Sequence, residues 1–465
     1  MKIRAAMLVL VLLAPGATFA QDDVKVVTIA DVPAPIQKAI QAQLKGGTIS
    51  EIDRIAEKGA VSYDVEVSAK DGHRGGFTLN ADGTLQRLEI SLTDAPAAVQ
   101  KSIKAQLGAD TLVSIDQTFD AGEVAYDVSV TMKDGQSRDF SVAPDGKLAS
   151  VQVFLADTPP AVQKTINAQL RKGKVDTIEE SFDADGIIFA VQMTAKNGDE
   201  RHFSVAADGK LESLEMSLAE TPALVQTAIK AQLGDGQVNS IEKNFADNGI
   251  TFEVEMTGKN GVNRDFSVNN SGKLETLQMP LAETPAEVQK TIRAQLGPNK
   301  LDRVEEIFAA EGNSYEGELK APDGSIRDFT IAADGKLETL QLSLAETSPV
   351  IQRAITTQLG QNKLERIEKE FDGPTPTYEI EMVAKDGGTR SFTLADDGKL
   401  ESLELSLAET PKEVQTTINA QLAQGKLESI EKIIDEDGIS YDVAVTTKAG
   451  KIRSFSVAAN GTLQK

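Results

Sequence analysis

One glutamine recurs every 63 residues, at Gln37, Gln100, Gln163, Gln226, Gln289, Gln352 and Gln415. A second keeps step with it six residues later, from Gln43 and Gln106 through to Gln421. The interval never slips across seven copies, so the chain reads as one small unit repeated in tandem. So short a unit buries too little apolar surface to be comfortably stable alone, and packing between copies is expected to support it. Seven similar surfaces on one chain point to multivalent contact more than to a single catalytic pocket.

The seven intervals account for residues 25–465. Ahead of them, Lys2 and Arg4 precede an apolar run over 5–14, Pro15 and Gly16 break it, and Thr18 and Ala20 place small residues at a cleavage point. This pattern predicts a secretory signal peptide over 1–20, cut after Ala20, and a periplasmic or secreted mature protein. No Cys follows the cut, which argues against a lipid anchor, and no later apolar run approaches membrane length. With no cysteine anywhere, an exported chain must rely on packing rather than disulfides. Without Lys2 and Arg4 the chain carries 46 basic and 71 acidic side chains, a net charge of −25. That field repels nucleic acid and anionic membranes, and favours solubility, a basic partner or weakly held cations.

The third copy shows the expected unit. Thr158 and Pro159 open a helix, with Thr as the capping residue and Pro in the first turn. Thr284-Pro285-Ala286-Glu287 and Thr410-Pro411-Lys412-Glu413 have the spacing of a capping box. Val162, Ile166 and Leu170 share one helical face, and the helix ends near Arg171-Lys172-Gly173. Four strand-like runs follow, marked by Val175, Ile178 and Phe182; by Phe189, Val191 and Met193; by Phe203 and Val205; and by Leu211, Leu214, Met216 and Leu218. Keeping Phe189, Val191 and Met193 on one face with Phe203 and Val205 requires a three-residue loop at Lys196-Asn197-Gly198, with Gly left-handed. Val191 then faces Phe203, and Met193 faces Arg201. The fourth run changes parity after Leu211, which leaves two alternatives: a bulge before Leu214, or side chains turned toward the next copy.

The fold class is therefore α+β, a tandem array of seven modules, each one helix packed on a four-stranded antiparallel sheet. The expected boundaries are an N-terminal strand over 21–30 and repeats over 31–92, 94–155, 157–218, 220–281, 283–344, 346–407 and 409–465.

The helix opener Thr-Pro-Pro-Ala-Val-Gln (158–163), the Ile178-Glu179 strand and Phe-Ser-Val-Ala-Ala-Asp-Gly-Lys-Leu (203–211) together resemble the PepSY-like domain, in its β-lactamase-inhibitor-like branch. Tyrosine-led strands at Tyr126-Asp127-Val128-Ser129-Val130 and Tyr441-Asp442-Val443-Ala444-Val445 carry the same likeness. The resemblance implies export, a helix-on-sheet module, and protein binding or inhibition of a peptidase or β-lactamase. Seven copies depart from the one or two modules usual in that family. The absence of Trp and the count of five Tyr also leave few anchors of the kind inhibitor interfaces use.

Three rows repeat without an evident folding requirement. Arg138, Arg201, Arg264, Arg327, Arg390 and Arg453 stand one per copy from the second onward, with Gly75 in the first. They either cover the core rim and reach a carboxylate, or contact an anion on a partner. Asp53, Asp116, Glu179, Glu242, Glu305, Glu368 and Glu431 form an acidic row that is either surface charge or salt-bridge partners, or a stripe for a basic partner. The paired glutamines lie about 120° apart on the helix and suit bridging of backbone groups. Asp183-Ala184-Asp185-Gly186 and Asp435-Glu436-Asp437-Gly438 do not match a calcium-binding loop and read as hairpin turns. His73 and His202 are the only histidines. No catalytic constellation, cofactor loop or metal-ligand spacing stands out, and neither an enzyme nor a cofactor is expected. The sequence favours an exported multivalent binding or scaffold protein, with the arginine row as candidate binding residues. An inhibitor acting through one or two modules is the alternative, and low-affinity cation binding at the acidic surface a further one.

Overall fold

The structure is a computed structural model that describes residues 23–464 apart from 45, 58–59, 69–73, 121–122, 171, 184–185, 247–248, 260, 311, 323, 385–386, 423–424, 436–437 and 448–450. The expected signal peptide, His73, Arg171 and the tips of both acidic turns lie outside the described residues. The chain divides into two compact units, Met1–Glu215 and Met216–Lys465. The class is α+β. The first unit holds helices α1 (Ala34–Gln43), α2 (Ala97–Leu107) and α3 (Pro160–Leu170). The second holds α4 (Ala223–Leu233), α5 (Ala286–Leu296), α6 (Pro349–Leu359) and α7 (Lys412–Leu422).

The helices start differently from the capping pattern read in the sequence. In α2, α4 and α5 the residue before the first turn is Pro96, Pro222 or Pro285, and no side chain caps the helix. The preceding threonines serve the short 3-10 turn upstream instead: Thr158 and Thr284 donate to the carbonyls of Leu155 and Leu281. The capping boxes also belong to those 3-10 turns, at Ser217/Glu220, Ser343/Glu346 and Ser406/Glu409. Of the helices whose start is defined, only α6 uses its side chain: Ser348, which replaces the proline, accepts from the Ile351 amide.

After α3 come Lys174–Asp183, Gly186–Thr194, Glu200–Ala206 and Leu211–Glu215, each antiparallel to the next. Val191 lies opposite Phe203 and Met193 opposite Arg201, as the parity argument requires. Gly198 takes the left-handed φ of 90° that a three-residue loop needs there. The fourth strand resolves its parity change in two ways at once. A register shift after Ser204 sets Val205 opposite Leu211 and Phe203 opposite Leu214, so a bulge returns Leu214 to its own core. Met216 and Leu218 instead pack on the next core, that of Val225 and Ile229.

The four-stranded runs read from the sequence are joined to one another within each unit. Within each unit the fourth strand of one copy hydrogen-bonds the first strand of the next, with Glu89 opposite Asp116 and Gln152 opposite Glu179 in the first unit, and Gln278 opposite Glu305, Gln341 opposite Glu368 and Glu404 opposite Glu431 in the second. Among the described residues this gives one antiparallel meander of thirteen strands in the first unit and one of fifteen in the second. Asp23–Val26 joins the first meander by pairing Val26 with Asp53, in the same register as Glu89 with Asp116.

Each helix lies over one face of its sheet and closes a core built from equivalent positions. Val225, Ile229, Ile241, Phe252, Val254, Met256, Phe266 and Val268 form one such core, each less than 5% exposed. One core departs from the pattern. Gly317 stands where the other copies carry Val65, Val128, Val191, Val254, Ile380 or Val443. The Phe329 ring fills the space, its tip 2.3 Å from where a Cβ would sit.

Candidate functional site: the open face of the sheet

Strand alternation places the acidic row on the face away from the helices, because each acid follows an inward residue such as Ile52, Ile115 or Val304. Pairing then brings a second carboxylate opposite the first. Asp53 faces Asp64, Asp116 faces Asp127, Glu242 faces Glu253, Glu305 faces Glu316, Glu368 faces Glu379, and Glu431 faces Asp442. Only Glu179 faces a neutral residue, Ala190. The partner acids lie eleven residues downstream of the row in six copies, a spacing present in the sequence but meaningless until the register is known. Glu255, Asp265, Glu318, Asp328 and Glu381 extend the same face in the second unit, where Asp265 lies opposite Glu255 and Asp328 opposite Glu318.

Like charges directly opposite each other across a sheet destabilise it. Burial, then neighbouring carboxylates, hold Asp265 above the usual carboxylate range. Glu318, Glu368 and Glu379 are raised by burial and by the same crowding, against the opposing pull of Arg303 or Arg366. In the first unit burial raises Asp127, with Asp116 and Asp139 adding to it against the hydrogen bond from the Thr118 hydroxyl. A few cations offset the charge locally: Arg87 bridges Asp64 and Asp116 at 3.1 and 2.7 Å, and Arg303 and Arg366 pair with Glu305 and Glu368. Carboxylate oxygens of Glu368, Glu370 and Glu379 lie within 4.8 Å of one another, a spacing that could hold a metal ion.

The arginine row occupies the rim of the helix-covered face. Arg264, Arg327 and Arg390 reach Glu283, Glu346 and Glu409, which sit in the 3-10 turn opening the next copy. Arg138 and Arg453 turn back to their own helix, donating to the carbonyls of Gln106 and Gln421 at 2.8 Å each. Arg201 acts electrostatically on Glu215, which also accepts from His202 at 2.9 Å. The arginines with described partners are thus engaged within the chain, three of them at the joints between copies.

The first glutamine row has a structural task that its spacing alone did not reveal. In every copy its amide donates to the carbonyl five residues upstream, as Gln289 does to Thr284 at 2.8 Å and Gln415 to Thr410 at 2.7 Å. Those carbonyls belong to the link between the short turn and the helix, where backbone groups lack regular partners. In the acidic turns, Asp183 pairs with Gly186 and Asp435 with Gly438 across the ladder, the geometry of a hairpin.

Comparison with known proteins adds a family. Residues 21–87 match the family described as beta-lactamase-inhibitor-like, PepSY-like. The matched segment includes the N-terminal strand and most of the first copy. No curated protein matches the sequence. Among solved structures, a periplasmic protein of Bacteroides thetaiotaomicron described as calcium-regulated is 17% identical, covering 28% of this chain and 95% of its own, with a TM-score of 0.21. A periplasmic protein of Bacteroides vulgatus is 16% identical, covering 27% of this chain and 93% of its own, with a TM-score of 0.19. Among the described residues no helix is long and apolar enough to cross a membrane.

Proposed function

We propose that the chain is an exported, non-catalytic array of seven helix-on-sheet modules, bounded as read from the sequence, that binds a basic protein multivalently through its open carboxylate face. One observation carries this reading: carboxylate faces carboxylate at six of the seven acid-row positions. Folding gains nothing from opposed like charges, whereas a cationic partner would relieve their repulsion. Repeating the pair along the sheet of each unit lets weak contacts add on a single chain. The arginine row then serves mainly to hold the joints, and a role in contacting a ligand is retained for Arg138.

The test is capture of exported proteins on the mature chain at low and high salt, beside a Glu253→Gln, Glu316→Gln, Glu379→Gln variant. A basic protein held at low salt, released at high salt and lost by the variant supports the reading; retention of nothing at either salt removes it. The PepSY-like match over 21–87 supports an inhibitor as the alternative. An inhibitor would keep most of its potency in a two-module fragment, whereas a multivalent binder would lose most of its avidity. The Glu368, Glu370 and Glu379 grouping favours cation binding as a further reading. Calcium titration that leaves the melting temperature unmoved would dispose of it.

A further inference from the structure

We propose that the joint between the second and third copies holds a separate site for a small carboxylate bearing an apolar group, with Arg138 as its anchor. The joint lies wholly within the first unit, and the proposal stands independently of what binds the open face. It begins with a departure from the repeat. At the joints of Arg264, Arg327 and Arg390 the guanidinium is met by a glutamate nineteen residues downstream. Glu346 and Glu409 are themselves held in place by Ser343 and Ser406. Nineteen residues after Arg138 the chain has Asp157, one methylene shorter, and in place of the serine it has Phe154.

Both changes alter the joint. Asp157 is exposed, and Arg138 turns away to the end of α2, donating to the Gln106 carbonyl at 2.8 Å and meeting Asp110 at 3.4 Å. Its Nε is buried and has no hydrogen-bond partner. Arg138 lines a cavity of about 490 Å³ together with Gln152, Phe154, Leu155 and Ile178. That volume suits a small organic ligand. Phe154 is 45% exposed at the cavity and offers an apolar wall. Asp176 also lines the space, but Lys174 and the Thr194 hydroxyl engage its carboxylate.

The ligand's chemistry follows from the other joints. There the same arginine position takes a glutamate carboxylate from its own chain; here an incoming carboxylate would take that place. The apolar remainder would lie against Phe154 and Leu155. A free small acid and the C-terminus of a peptide share this chemistry, and the probes distinguish them.

The experiment titrates the full mature chain with octanoate, and separately with acetyl-Ala-Ala-Leu as its free acid and as its amide, by calorimetry. Saturable binding of octanoate or of the free-acid peptide at one site per chain is expected, and which of the two binds identifies the source. The amide should bind at least about tenfold more weakly, as should either acid to Arg138→Gln. Asp157→Glu restores the arrangement of the other joints without removing any contact, and should cut binding by a similar factor while the melting temperature holds or rises. No saturable binding of either acid, equal binding of the amide, or undiminished binding to Asp157→Glu would each overturn the proposal.

Discussion

On the helix-covered face, equivalent positions carry the same kind of residue for the same reason: Phe203, Phe266, Phe329 and Phe392 each lie almost fully buried under a helix. On the open face the repeated residues are carboxylates set against carboxylates, Glu305 against Glu316 and Glu368 against Glu379. One 63-residue interval governs both faces. On the first it recurs because each copy must close a core. On the second it recurs where folding alone would prefer neutral or alternating charges. The contrast separates positions kept by packing from positions that stability does not explain.

The contrast is broken most severely from the packed side. Phe252→Ala, at a position with no exposure, should cost about 3–5 kcal/mol, seen as a lowered urea midpoint. Gly317→Val should also destabilise, by about 1–3 kcal/mol, although valine is the residue most other copies carry there. The new side chain would meet the Phe329 ring and the Arg303 carbonyl at 2.3 and 2.7 Å from its Cβ. An unchanged midpoint in Gly317→Val would mean the core adapts more freely than its packing implies. Gln289→Ala removes the bonds to the Thr284 and Ala282 carbonyls and should cost about 1 kcal/mol.

The open face should respond in the opposite direction. Folding raises the pKa of Asp265, Glu318, Glu368 and Glu379, so the folded chain holds those protons more tightly than the unfolded one. Stability should therefore fall as pH rises from the ordinary carboxylate range through the raised values. Glu379→Gln removes one such charge and should stabilise the protein at neutral pH by a few tenths to about 1 kcal/mol, while flattening the acid-side profile. A loss of stability in that variant would show that Glu379 supports the fold.

Local physics made much of this legible from the sequence. The apolar spacing of Val162 and Ile166 located the helix, and the parity of Val191 and Phe203 located the loop at Gly198. What remained hidden depended on register between distant segments. Glu316 lies eleven residues from Glu305 and becomes its neighbour only once the hairpin is closed. The bonds from fourth strands to the next copy within each unit could not be read from one repeat, because the 3-10 turn and a helix separate Gln278 from Glu305. The threonine caps were misplaced because two helical turns follow one another, and Thr284 closes the first rather than opening the second. The arginine row was visible as a period, but its partners in the next copy, such as Glu346 for Arg327, were not.

Titration of a lysine-rich peptide into the mature chain, and into the Glu253→Gln, Glu316→Gln, Glu379→Gln variant, bears most directly on the open face as a binding surface. The account predicts several sites per chain, affinity that falls as salt rises, and binding to the variant weaker by about tenfold or more. Equal affinity for both proteins, or binding indifferent to salt, would contradict it.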